Sequence, residues 1–229
     1  MKNIVVLTGA GISAESGVRT FRDSDGLWEE HRVEDIATFE AWERNPKLVR
    51  EFYNQRRKQL YEVNPNKAHF DLVKLEKDFN TYIITQNIDD LHERAGSKNI
   101  LHLHGELKKV RSVVDENDII ELEGWELKER DLDKYGKPLR PHIVWFGEAV
   151  PMFEKAIEIS EKADIMIVIG TSLQVYPAAG LINYAPKDCK IYLIDPKEPN
   201  MNLKNIKFIK EKASIGVEIA VNEILEKYK

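Results

Sequence analysis

The sequence predicts an α/β fold, a doubly wound parallel sheet carrying one small inserted lobe. Six short apolar segments read as strands, helical patterns separate most of them, and one charge-rich stretch interrupts the alternation. The first strand, Asn3–Thr8 (NIVVLT), is short, β-branched and uninterrupted, as expected of a strand buried on both faces. Residues 81–85, 99–103, 164–170, 189–194 and 206–209 follow as the other five. Among the intervening segments, residues 46–62 carry Leu48, Val49, Phe52 and Leu60 at helical spacing. Residues 65–79 repeat the pattern after an Asn-Pro start, and residues 151–162 open on a proline at a first-turn position. Residues 215–228 form a terminal amphipathic helix. Strands alternating with helices bring ligands to the carboxyl ends of the strands. Residues 108–140 break the rhythm, being dense in charge with only short apolar patches. They read as an inserted lobe of short strands and turns, with Val110, Val113, Ile120, Leu122, Trp125 and Leu127 as its core. Asp115, Glu116, Asp118 and Glu121 cluster there as conceivable alternative metal ligands, but read better as a solvated acidic turn. Residues 1–229 then make a single domain, with the 108–140 lobe inside it.

The 229 residues are 42% hydrophobic and 32% charged, a composition that supports a buried core in one globular domain. A formal net charge of −5 argues against nucleic acid as the main partner. The local basic run Arg56-Arg57-Lys58 reads by itself as an ordinary solvated helix surface. No apolar run approaches the ~20 residues that span a bilayer, so no membrane partner is expected. Met1 stands two residues from the first strand, too close for a cleaved signal peptide, and a cytoplasmic location is expected. The single cysteine, Cys189, can form no internal disulfide and no cysteine zinc cage, and it reads as a small residue at the start of a strand.

Candidate chemistry gathers at the strand ends. Gly9 and Gly11 let the chain turn tightly after the first strand and bring backbone N–H groups near a ligand. Gly17 arrives too late for the Gly-x-Gly-x-x-Gly spacing, so a turn that binds nothing stays open. Gln86, Asn87 and Asp89 follow the second strand. They could cap the next helix through Asp89 or Asp90, or converge on a ribose and a carboxamide. His102 and His104 alternate on one strand and share a face if the strand stays regular. A His-x-His metal pair needs a third ligand that the sequence does not place. Gly105 is expected to end that strand and open space beside the His104 ring, where an imidazole suits proton transfer. Gly170, Thr171 and Ser172 end another strand in a tight turn. Asp195 ends CKIYLID, where a carboxylate suits ribose hydroxyls. Tyr53 and Arg56 lie three apart on one helix face. Residues 144–148 (VWFGE) read either as an extended apolar edge that a peptide could augment or as core.

Residues 3–22, 85–96, 101–107, 144–148 and 170–180, in that order, resemble the sirtuin family of NAD-dependent protein deacylases over nearly the whole chain. The YNQR run at 53–56 resembles the Tyr-x-x-Arg pair of the bacterial and mitochondrial branch that removes acidic acyl groups. The resemblance implies a Rossmann-like NAD-binding fold, NAD as co-substrate, and acyl-lysine proteins or peptides as partners. It implies His104 as general base, with Asn87 and Asp89 orienting the nicotinamide and the water or ribose. Gly9, Ala10, Gly11, Glu15, Phe21, Arg22, Trp28, Gln86, Ile88, Gly170, Thr171, Ser172, Asp195 and Ala213 would contact the cofactor. In that set Phe21 would shield the nicotinamide pocket and Arg22 would reach phosphate. Tyr53, Arg56, Val144, Phe146, Gly147 and Glu148 would contact the substrate, and Ala14 would leave room for a longer acyl chain.

The implied products are free lysine, nicotinamide and 2′-O-acyl-ADP-ribose. This chain departs from the family pattern at Arg19 and Thr20, which replace a proline and an acid, and at Asp195, where an asparagine is usual. It departs again in the 108–140 lobe, where sirtuins place a zinc module normally built on two Cys-x-x-Cys pairs and this chain has no cysteine. A zinc-free lobe is therefore expected. An NAD hydrolase or ADP-ribosyltransferase, and a non-catalytic NAD-sensing module, stay open as alternatives.

Overall fold

The structure, a computed structural model, describes residues 1–18, 27–28, 31–198 and 206–229. Strand β1 (Asn3–Thr8) leads into the glycine loop, and β2 (Leu27–Trp28) and β3 (His31–Arg32) form a short antiparallel ribbon. Helices α1 (Val33–Ile36), α2 (Phe39–Arg44), α3 (Pro46–Leu60) and α4 (Lys67–Val73) come next. Then follow β4 (Asn80–Thr85), α5 (Leu91–Ala95) and β5 (Ile100–His102). The lobe strands are β6 (Gly105–Ser112), β7 (Ile119–Glu121) and β8 (Leu139–Ile143). The chain closes with α6 (Phe153–Ser160), β9 (Ile165–Ile169), β10 (Lys190–Ile194), β11 (Ile206–Ile209) and α7 (Ala213–Tyr228).

All six expected strands enter one parallel sheet, in the order β11-β10-β9-β1-β4-β5. The sheet is buried on both faces because alternate residues of β1 feed different cores. Ile4 and Val6 pack with Leu72 of α4 and with Val217 and Val221 of α7. Val5 and Leu7 pack with Ala156 of α6 and with Leu181. Two-sided burial is why these strands read as continuous apolar runs rather than alternating ones. The segment expected as one helix over 65–79 instead ends α4 at Val73 and continues as a 3₁₀ turn over Lys74–Lys77. The α4 N-cap, Asn66, also donates to the Ile12 carbonyl at 2.7 Å, tying this helix to the glycine loop. Cys189 is buried just before β10, and burial pushes its thiol up to about 11, leaving an unreactive small core residue.

Helix α3 starts on Pro46, with Asn45 accepting from Leu48 N at 3.1 Å, and packs Phe52 and Tyr53 against Trp42 and Trp145. The solvated-surface reading of its basic run fails here, since Arg56 is 7% exposed and Arg57 fully buried. Arg57 Nε donates to the Leu107 carbonyl at 2.6 Å, and its Nη1 donates to the Trp125 carbonyl at 2.7 Å and to Asn54 Oδ1 at 2.8 Å. Asn54 in turn donates to the Leu127 carbonyl at 3.0 Å and accepts from Leu127 N at 2.9 Å. One turn of α3 therefore clamps the backbone of the lobe.

The lobe is a three-stranded antiparallel sheet in the order β7-β6-β8. Its core is Val110, Leu127 and Leu139, with Leu122 packed against them. Val113 and Ile120, expected inside, are exposed, and Trp125 is only half-buried beneath the Lys58 ammonium. The reason is topological: β7 is an edge strand with all three residues exposed, and Val113 lies past the end of β6. Beyond the clamp, the Asp133 carboxylate accepts from Ser112 Oγ, from Tyr135 N at 2.9 Å and from Lys137 N at 2.7 Å, closing the lobe's far turn.

Candidate active site

A cavity of about 670 Å³ opens at the carboxyl ends of β1, β4, β9 and β10. Two glycine turns form its floor by packing backbone on backbone. Gly11 N donates to the Gly170 carbonyl at 2.9 Å, and a Cβ on Gly11 would stand 2.5 Å from the Gly170 Cα. Gly170 itself has φ +60, a conformation that glycine adopts without strain. Glycine is required at 11 first by this contact between the loops after β1 and β9, beyond the tight turn and ligand approach expected from the sequence.

Above the floor, Ser13 joins the polar residues that follow β4. Its Oγ donates to Asp89 Oδ2 at 2.9 Å and accepts from Asn87 Nδ2 at 3.2 Å. Asp89 Oδ1 accepts from Leu91 N at 3.2 Å, one residue ahead of the Asp90 N-cap of α5, and the residue also faces the cavity. Its burial raises the carboxyl pKa, with the Ser13 and Leu91 hydrogen bonds opposing. Gln86 Nε2 reaches Thr171 Oγ1 at 3.2 Å, bridging the β4 and β9 ends. Ser13 had no signal of its own in the sequence beyond its place in the glycine loop.

The strand carrying the two histidines does not stay regular: β5 stops at His102 and the chain bends before β6. His104 lines the cavity, whereas His102 does not. His104 Nδ1 lies 3.1 Å from the Gln86 carbonyl. A carbonyl only accepts, so Nδ1 carries the proton and Nε2 keeps its lone pair. Burial lowers the ring's pKa below the ordinary histidine value, and the Gln86 hydrogen bond offsets part of the effect. The result is a half-buried neutral imidazole with a defined tautomer, suited to accept a proton. Gly105 begins β6 rather than ending β5, and its role also differs from expectation. It has φ +83, and a Cβ there would fall 2.0 Å from the His142 carbonyl, so close packing against β8 demands it.

At the far end, Asp195 and Ala213 line the cavity where β10 ends and α7 begins. The buried Asp195 carboxylate accepts from Lys197 N at 2.9 Å. Gly9, Ala10, Ile88, Thr171 and Ser172 also face this space. Glu15 lines it too, but its carboxylate takes Ser214 N at 2.9 Å and Ser214 Oγ at 2.8 Å, so it caps α7. Phe21 and Arg22 lie outside the described residues, as does the side chain of Trp28.

The opposite wall comes from α3 and the segment after β8. The Tyr53 hydroxyl accepts from Trp145 Nε1 at 3.0 Å, and burial raises its pKa, which keeps the phenol protonated. Arg56 Nη1 donates to Gln59 Oε1 at 3.1 Å, and both residues line the cavity. The 144–148 segment is extended only in part. Val144 N donates to the His104 carbonyl at 2.9 Å and Phe146 N to the Ala37 carbonyl at 3.0 Å, while Trp145 turns into the core. The chain then turns at Gly147, and Glu148 folds back to pair with Arg140 at 2.7 Å and to accept from Trp145 N at 2.8 Å. Glu148 thus fixes this wall, its carboxylate being engaged on the protein side.

The Sir2 family profile matches residues 9–177, a span that holds the glycine loop, Asn87, His104 and the Gly170 turn. The chain belongs to the Sir2 family. It is 55% identical over 227 residues to a Helicobacter pylori protein named NAD-dependent protein deacylase, covering 99% of each. A Bacteroides thetaiotaomicron protein of the same name is 56% identical over 224 residues, which are 95% of this chain and 96% of that one. Among solved structures, a Sir2 homolog–NAD complex superposes with a TM-score of 0.89 at 39% identity, covering 98% of this chain and 90% of that one. A Sir2–p53 peptide–NAD+ complex gives 0.79 at 30% identity, covering 98% and 92%. The six-stranded sheet and its helices are therefore the Sir2 α/β fold, as the sequence predicted.

Proposed function

We propose that this Sir2 chain is an NAD-dependent protein lysine deacylase that removes acetyl groups and, through Arg56, succinyl and malonyl groups. One observation carries the reading. A single cavity is lined by the glycine loop and Asp195 at one end, by Tyr53 and Arg56 at the other, and by the neutral His104 ring. Relatives named NAD-dependent protein deacylase support it.

The donor set suits a dinucleotide: backbone amides of the glycine loop for phosphate, Asp195 for ribose hydroxyls, and Asn87 with Gln86 for a carboxamide. NAD supplies the ribose carbon that the acyl oxygen attacks as nicotinamide leaves. His104 Nε2 then takes a proton from a ribose hydroxyl, so that this oxygen attacks the acyl carbon; the lysine amine leaves with a proton and one water completes the 2′-O-acyl ester. Ser13 and Asp89 hold Asn87 in place for the first step. The wall from Val144 to Phe146 receives the peptide, and the Arg56 guanidinium meets an acyl carboxylate.

The test is turnover of acetyl-, succinyl- and malonyl-lysine peptides with NAD, reading 2′-O-acyl-ADP-ribose by mass. Peptide-dependent release of nicotinamide is expected, and rapid release from NAD alone would favour a hydrolase instead. Arg56→Met should lower desuccinylation about ten- to a hundredfold, the worth of one charged hydrogen bond, and leave deacetylation nearly intact. Equal losses on both substrates would confine Arg56 to a structural role.

The lobe's residues do not fit a zinc site. Residues 108–140 contain no cysteine, and among the described residues no three His, Cys, Asp or Glu side chains converge. The acidic turn is instead bridged by Lys134, 3.6 Å from Asp115 and 3.4 Å from Asp118. Prolonged treatment with a strong zinc chelator should leave both melting temperature and turnover unchanged. A loss of either that added zinc restores would refute a metal-free lobe.

A further inference from the structure

His102 is idle in the chemistry above, yet its surroundings are unusually specific. The side chain is 9% exposed, and its Nε2 lies 2.8 Å from Glu93 Oε1 on α5. Its Nδ1 lies 3.0 Å from the Asn87 carbonyl. Both neighbours are oxygen acceptors, so both ring nitrogens must donate, and only the doubly protonated imidazolium can do that. A neutral ring has one N–H and turns a lone pair toward one of the two oxygens, so one tether must break. His104 has no such demand, because a neutral ring satisfies its single contact with the Gln86 carbonyl. Two histidines two residues apart thus hold two consecutive carbonyls in opposite charge states.

What His102 holds matters for the cavity. The Asn87 backbone N–H donates to Thr85 Oγ1 at 3.0 Å, and its side-chain amide donates to Ser13 Oγ at 3.2 Å. The carbonyl is the third anchor of the same residue. Freeing it removes one of the three contacts that fix the Asn87 backbone and the amide projecting from it.

We propose that the His102–Glu93 ion pair is a positioning element for deacylation, and that its protonated ring aims the Asn87 amide into the cavity by gripping the Asn87 carbonyl. This inference rests on the deacylase reading. The charged groups around the ring favour the cation. Glu93 faces it from α5, Glu106 acts from β6 while paired with Lys109 at 2.7 Å, and the buried Asp89 carboxyl lies on the intervening loop. His92 is near as well, but burial holds it neutral. Burial alone would discharge His102; Glu93 and the Asn87 carbonyl outweigh it and raise the ring's pKa above the ordinary value.

The experiment is the pH profile of kcat/KM with NAD and an acetyl-lysine peptide, for the unmodified chain and two variants. An alkaline limb above pH ~6.5, the ordinary histidine value, is expected from loss of the His102 proton. Glu93→Gln should move that limb down by about one pH unit or more. His102→Gln keeps an amide donor but cannot titrate, so the plateau should fall and the limb vanish. As a second readout, ¹⁵N NMR of the ligand-free chain at pH ~6.5 should find the His102 ring mostly doubly protonated and the His104 ring mostly neutral, which decides the matter even if a variant folds poorly. An alkaline limb unmoved in both variants, or a His102 ring mostly neutral at pH ~6.5 with turnover intact, overturns the positioning role alone. A chain that turns over no acyl-lysine peptide at any pH overturns the deacylase reading, and this role with it.

Discussion

Replacing His104 with alanine is expected to lower kcat for peptide deacylation by about 10²–10⁴-fold, the usual worth of a positioned general base. The melting temperature should hardly move, because the ring makes one hydrogen bond, to the Gln86 carbonyl, and otherwise borders the cavity. The pH dependence gives a second check. Burial lowers the ring's pKa, so more than half of the base is neutral at pH ~6.5, where an ordinary histidine is half protonated. The acid limb of turnover should have its midpoint below that value, as His104 takes up a proton. Full activity in the His104→Ala chain would remove the base from the mechanism. An acid limb at or above pH ~6.5 would show that the titrating base is not this ring.

The second large effect is on stability. Arg57→Met roughly keeps the volume of a fully buried side chain but strands the Leu107 and Trp125 carbonyls and leaves Asn54 Oδ1 with Leu127 N alone. Burial lowers this guanidinium to about 10, so it remains charged at neutral pH and its hydrogen bonds are charge-assisted. Leaving a buried carbonyl without its donor costs about 1–3 kcal/mol, so the two together cost about 2–6 kcal/mol. For a chain of this size that is a fall of roughly 4–24 °C in melting temperature. Hydrogen exchange should localise the damage to β6 and to residues 125–127, the backbone that α3 clamps. An unchanged melting temperature would mean that Val110, Leu127 and Leu139 hold the lobe without the clamp.

These two residues mark how far local sequence reaches. His104 was legible because it follows a short apolar strand in a pattern of alternating strands and helices, and such strand ends are where the topology gathers chemistry. Arg57 was not, because Arg56-Arg57-Lys58 on an amphipathic helix has the signature of a wet surface. The lobe folding back over α3 turns Arg57 inward, while Arg56 is buried at the cavity wall. Glu15 and Glu148, expected to contact cofactor and substrate, line the cavity, but their carboxylates are already engaged by Ser214 and Arg140. The Glu15–Ser214 pair spans 199 residues, a separation no local pattern encodes.

By itself the sequence determined the six strands, the pairing of helices with both sheet faces, the family, and the cluster of Gly11, Asn87, His104 and Gly170 at one sheet edge. Periodicity and strand-end position are properties of neighbouring residues, and they survive without coordinates. The tertiary structure alone decided which ring nitrogen of His104 carries the proton, that His102 grips Asn87, that Gly105 yields to the His142 carbonyl, and that Arg57 is a buried clamp. Each of these depends on which distant oxygen the fold brings near: to within about 3 Å of a donor for the hydrogen bonds, and against the missing side chain of Gly105 for the glycine.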